Sequence, residues 1–120
     1  MQPSSAMALS DFIRKKISDR LSAYCEARVP VHARDKVRLC FRIRGHEVVL
    51  FEERPAFHAP HEWSELPVAK FKYVATEDAW RLYCQHRDAK WHSYSEQPSA
   101  RHFDELLDEV DSDPTGIFWG

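Results

Sequence analysis

The 120-residue sequence predicts an α+β fold, an antiparallel meander sheet of about five strands flanked by an N-terminal and a C-terminal helix, in the order α-β-β-β-β-β-α. Three observations lead there. Near both ends of the chain, apolar residues recur at three- and four-residue steps, the period of a helix packed on one side. Between residues 37 and 94 they mostly alternate with polar ones, the period of a half-buried strand. The alternating segments are joined by short turns, which connect antiparallel neighbours, whereas parallel strands need long crossovers. The length suits one domain spanning residues 1–120, large enough to hold a core without metal or disulfides.

Residues 1–7 are polar and contain a proline, and are expected to fray. Leu9, Phe12, Ile13, Ile17, Leu21, Tyr24 and Cys25 then form one apolar stripe. Ser10 is a candidate cap, and Pro30 should stop the helix near Ala27, because the residue before a proline avoids helical geometry. Arg14, Lys15, Lys16 and Arg20 make its outer side basic. Residues 37–43 alternate most strictly. Gly45 supplies a tight turn, residues 48–51 return, and residues 52–55 lead out into a long loop at 56–67. Strands follow at 68–74, 80–84 and 90–94. Ser99 is placed to cap a last helix carrying Phe103, Leu106, Leu107 and Val110. Asp113-Pro114 breaks it, and Ile117, Phe118 and Trp119 close the chain on apolar residues.

Composition narrows the setting. No apolar run approaches a membrane span, and the N-terminus has no secretory pattern. Cys25, Cys40 and Cys84 are odd in number and far apart, which is no disulfide framework. These features point to the cytoplasm. The net charge of −2 conceals a gradient: residues 1–44 carry ten Lys/Arg against four Asp/Glu, the remainder seven against fifteen. Residues 104–113 hold six acids and no base. Such asymmetry suggests electrostatic steering or pairing of the two ends.

Several segments resemble a known family. They are residues 45–55, Ala-Lys-Phe-Lys-Tyr at 69–73, Trp-Arg-Leu-Tyr at 80–83, Lys-Trp-His-Ser-Tyr at 90–94 and Asp-Pro-Thr-Gly-Ile-Phe-Trp-Gly at 113–120. Together they look like the family of small bacterial proteins labelled domain of unknown function 3024, and the closing octet is the most specific piece. The resemblance implies a stand-alone bacterial domain and carries over no catalytic residue.

Five clusters could carry chemistry. If Val37, Leu39, Phe41 and Ile43 point inward, strand alternation sends Arg38, Arg42 and Arg44 outward, with Lys70, Lys72, Arg81 and Tyr83 in the same phase and His92 and Tyr94 beside them. Cations neutralise phosphate and flat rings stack on bases, so such a face suits single-stranded nucleic acid or an acidic protein segment. The plainer reading is a solvated strand face; in a variant, the acidic last helix lies over it. His58, His61 and Glu62 offer metal-ligand atoms, yet a proline between the histidines and the lack of a cysteine pair leave a ligand set incomplete. Glu52, Glu53, Arg54 and His92 could form a hydrolytic site at the sheet edge, although no phosphate loop or nucleophile elbow accompanies them. Cys40, between Arg38 and Arg42, is the better candidate for an activated thiol, with Cys84 in the core. Residues 117–120 could dock into a partner or swap in a homodimer, but burial on the domain's own sheet is the simpler outcome. The reading favoured is a non-enzymatic module binding an anionic ligand through Arg38, Arg42, Lys70, Lys72, Arg81 and Tyr83, without a cofactor. The alternatives are a small metal-dependent or hydrolytic enzyme using the His58/His61 loop and Glu53, and an interaction module using the C-terminus.

Overall fold

The computed structural model describes residues 9–59 and 61–119; the fraying expected at 1–7 lies outside them, as does Gly120. Two helices flank an antiparallel sheet. Helix α1 is Asp11–Arg28, followed by a 3-10 turn at Val31–Ala33. The strands are β1 (Arg38–Arg44), β2 (Glu47–Pro55), β3 (Trp63–Val74), β4 (Ala79–Gln85), β5 (Trp91–Ser93) and β6 (Ser99–Ala100), and helix α2 is Phe103–Ser112. The order across the sheet is β1-β2-β3-β4-β5, with β6 also paired to β4.

Helix α1 starts where Ser10 accepts a hydrogen bond from the Ile13 amide at 3.2 Å. It runs to Arg28, one residue past the expected stop, and Val29 is its C-cap. Ile17 and Leu21 are buried, but Phe12, which the apolar spacing placed in the core, is 77% exposed. Ile13, Ile17 and Leu21 lie four apart on the line facing the sheet, and Phe12 lies off that line. The turn between β1 and β2 is Gly45-His46, and Gly45 has φ 61, a value glycine adopts without a Cβ clash.

The stretch 56–67 is not one long loop. Trp63, Ser64, Glu65, Leu66 and Pro67 extend β3 and pair with the second half of β2, from Trp63 opposite Pro55 to Pro67 opposite Phe51. These residues lack an alternating pattern, and a long-range partner makes them a strand. A bulge at Val68 interrupts the pairing, so Leu50 faces Ala69 while Phe51 faces Pro67. One extra residue reverses the alternation phase of β3 at that point. At the other end, Ser99 is not a helix cap. Ser99 and Ala100 pair with Arg81 and Trp80, and His102 caps α2 in a capping box with Glu105.

The core lies between both helices and one face of the sheet. Val48, Leu50, Phe71 and Leu82 from the strands meet Leu21, Leu106, Leu107 and Val110 from the helices with no exposed surface. Fully burying each such side chain contributes about 1.5–3 kcal/mol. The C-terminal segment closes back on this core. Asp113 ends α2 at φ 45, and its carboxylate accepts the Phe118 and Trp119 amides at 3.1 and 2.9 Å. Phe118 packs on Tyr94 with ring centroids 4.9 Å apart, and the Trp119 indole donates to the Val110 carbonyl at 2.8 Å. Phe118 and Trp119 are thereby engaged by their own chain. Among the described residues, no helix is long and apolar enough to cross a membrane.

Candidate functional site

The sheet face away from the helices carries the cations. Antiparallel partners share a face, so the pairing lists which side chains stand side by side. One line across the sheet reads Arg42, Val49, Lys70, Tyr83 and Ser93. The next reads Arg44, Glu47, Lys72, Arg81 and Ser99. A third, beyond the bulge, reads Arg38, Glu53 and Glu65. Arg38, Arg42, Lys70, Lys72, Arg81 and Tyr83 therefore emerge on one face, as the alternation predicts. The aromatic neighbour on β5 is different. Trp91 lies opposite Gln85 on the outer face, while His92 lies opposite Cys84 and Tyr94 is buried in the core. Assigning His92 and Tyr94 to the outer face was a phase error of one residue.

Most of these cations are already engaged. The Arg38 guanidinium covers the Trp63 ring at 3.8 Å and that of Arg42 covers Phe51 at 4.7 Å. The Lys70 ammonium lies 5.0 Å from the Tyr83 ring and 5.5 Å from that of Trp91. Arg42 pairs with Glu65 at 2.8 Å, Lys70 with Glu47 at 3.7 Å and Arg81 with Glu77 at 2.7 Å. The exposed Arg42 and Arg81 pairs contribute ~0–1 kcal/mol each, whereas the Lys70 side chain is only 17% exposed. Among the described residues, Arg38, Arg44 and Lys72 make no salt bridge.

The acidic helix does not cover this face. α2 packs on the opposite side, where its acids meet the basic side of α1: Arg20 reaches Asp104 at 3.0 Å and Arg28 reaches Asp111 at 2.7 Å. Tyr24 also donates to Asp111 at 2.8 Å; burial, then that hydrogen bond, hold its hydroxyl well above the usual phenol range. The charge gradient is spent on joining the two ends of the chain, and the outer cations stay uncovered by helix.

The other clusters fare differently. Cys40 is not activated. Burial pushes its thiol up, and Glu53, which accepts its S–H at 3.5 Å, adds to that and outweighs Arg38. Burial also raises Cys84. Glu52, Glu53, Arg54 and His92 do not converge. Arg54 pairs with Glu52 at 3.4 Å, Glu53 leaves the opposite face of β2, and His92 lies three strands away beside Asp88 at 2.9 Å. His58 and His61 sit at the tip of the β2–β3 arm, both exposed, with Phe57 edge-on to His58 at 5.1 Å. Among the described residues, no three His, Cys, Asp or Glu side chains are gathered closely enough to hold a metal ion.

One feature escaped the sequence reading: a groove of about 330 Å³ between α1, the start of α2 and the β3–β4 end of the sheet. Phe12, Tyr73, Trp80 and Phe103 line it together with Lys16 and Arg101. The off-line position of Phe12 on α1 was the available signal. Joining residues 12, 73 and 101 required the tertiary fold.

Residues 9–120 match the family model described as Domain of unknown function (DUF3024), and the chain belongs to that family. No curated protein and no solved structure matches it.

Proposed function

We propose that this member of the family is a non-enzymatic binding module, one domain over residues 1–120 working in the bacterial cytoplasm, that holds an anionic polymer on its outer sheet face. Single-stranded nucleic acid is the polymer whose chemistry matches. The observation that carries the reading is the pair of adjacent ladder lines, Arg42-Lys70-Tyr83 and Arg44-Lys72-Arg81, on a face no helix covers. Lys70 and Tyr83, and Lys72 and Arg81, stand on neighbouring strands about 4.8 Å apart, while Arg42 and Arg44 lie one strand further, beyond Val49 and Glu47. The Arg38 guanidinium, 3.8 Å above the Trp63 ring, offers an aromatic surface and a cation side by side, the two elements that a nucleobase and its phosphate require. An acidic protein segment would use the cations and leave the rings idle.

Labelled single-stranded RNA and DNA, titrated at two salt concentrations, test the reading. Micromolar binding that weakens with salt is expected, because released counterions drive it. Lys72→Glu and Arg81→Glu should each flatten the salt dependence by about one unit of slope or more. Binding absent at micromolar protein, or indifferent to salt, overturns the proposal. An acidic peptide that binds where RNA does not would assign the face to a protein partner.

A further inference from the structure

The groove beside α1 has a chemistry of its own, on the opposite side of the sheet from the cationic face. Its floor is aromatic: Tyr73 and Trp80 have ring centroids 5.2 Å apart, and Trp80 and Phe103 5.1 Å apart. Phe12 stands at its mouth, 77% exposed although large and apolar. A soluble fold gains nothing by wetting such a ring, and isolated cases need no explanation; this one borders a cavity. At about 330 Å³ the cavity lies at the small end of the ~300–1,000 Å³ range of small-molecule sites.

The rim supplies the charge. Its two acids are occupied: Asp104 pairs with Arg20 at 3.0 Å, and Asp78 accepts the Tyr73 hydroxyl at 2.6 Å. The Tyr73 hydroxyl is thereby held above the ordinary phenol range, chiefly by that hydrogen bond, and stays a neutral donor. Lys16 and Arg101 line the same groove and make no salt bridge among the described residues. Lys16, Arg20 and Arg101 against Asp78 and Asp104 leave the rim one positive charge in excess beside an aromatic floor. Trp80 and Phe103 are only 4% and 6% exposed, so the apolar surface left to cover is that of Phe12 and Tyr73, and the cations gain by meeting a negative charge that stays near solvent and keeps part of its hydration.

We infer that this groove is a binding site for a small aromatic carboxylate, its ring against Phe12 and Tyr73 and its carboxylate between Lys16 and Arg101. The site is independent of the outer face, since none of its cations belongs to that face. Phe12 closes over the bound ring from the helix side.

Titration of the full chain with naphthoate, followed by amide and indole NMR shifts, tests the inference. Saturable shifts should concentrate on Phe12, Lys16, Tyr73, Trp80 and residues 101–104. The double variant Lys16→Glu, Arg101→Glu changes two exposed side chains and should keep a dispersed spectrum while binding roughly tenfold more weakly or worse. Naphthalenemethanol, which keeps the ring and lacks the charge, should lose affinity similarly. Phe12→Ala should weaken both ligands. Lys72→Glu on the outer face should leave naphthoate binding unchanged. Shifts that do not saturate at millimolar ligand, shifts centred elsewhere, or a double variant that binds like the parent overturn the inference.

Discussion

Phe71 and Phe51 sit on adjacent strands, both nearly sealed from water, on opposite faces of one sheet. Phe71 is wholly buried among apolar side chains, its ring 4.7 Å from that of Phe103. Phe51 is 6% exposed yet stands apart from the core, beneath the Arg42 guanidinium. The same residue type reaches the same burial by different means. On the inner face, two helices supply close-packed carbon, and removing a ring leaves a cavity that cannot collapse. On the outer face, long charged side chains lay their stems and heads over the rings, and such covers can move aside. The inner face therefore stabilises the fold, and the outer face keeps a cover that can rearrange.

The sharpest way to break this comparison is to truncate both rings. Phe71→Ala should cost about 3–5 kcal/mol by denaturant unfolding. Phe51→Ala should cost roughly 1.5–3 kcal/mol, since Arg42 can settle into the space. Equal losses would show that the outer cover is as rigid as the core.

A smaller effect tests the polar seam of the inner face. Tyr94 donates to Glu109 at 2.7 Å, and burial, followed by that bond, pushes its hydroxyl up to about 12. A phenol whose folded value lies above its unfolded value of about 10 stabilises the fold fully at neutral pH. That contribution is lost as pH rises from 10 through 12. Tyr94→Phe should cost about 1 kcal/mol at neutral pH and reduce the alkaline fall in stability. A variant with the parent's full alkaline slope would refute it. The smallest effect belongs to the outer face: Arg38→Ala, which uncovers Trp63, should cost only ~0.5–1 kcal/mol while quenching or shifting the Trp63 fluorescence contribution. A loss like that of a core residue would mean that the stack with Trp63 is structural.

Much of this was legible from local pattern. The strictly alternating segments 37–43 and 80–84 place their side chains as written, because a strand's period of two is imposed by its own backbone. The four-residue spacing of Ile13, Ile17 and Leu21 likewise identifies the buried side of α1. The misreadings share a cause. Trp63 to Pro67 look like loop because nothing local makes them a strand; they extend because β2 lies beside them. Ser99 looks like a cap, but β4 captures it as an edge strand. His92 and Tyr94 were sent to the wrong face because the short β5 carries too few residues to reveal its phase.

By itself the sequence determined the two flanking helices, five of the six strands in their order and the common phase of Arg38, Arg42, Lys70, Lys72, Arg81 and Tyr83. These follow from rotation per residue, which neighbours in the chain control. Only the tertiary structure decided that both helices cover one face, that the Val68 bulge returns Trp63 and Glu65 to the side of Lys70, and that Phe12 overhangs a groove with Arg101. Those outcomes depend on contacts between segments far apart in the chain, where closing the intervening length costs entropy and only the complete set of packing partners repays it.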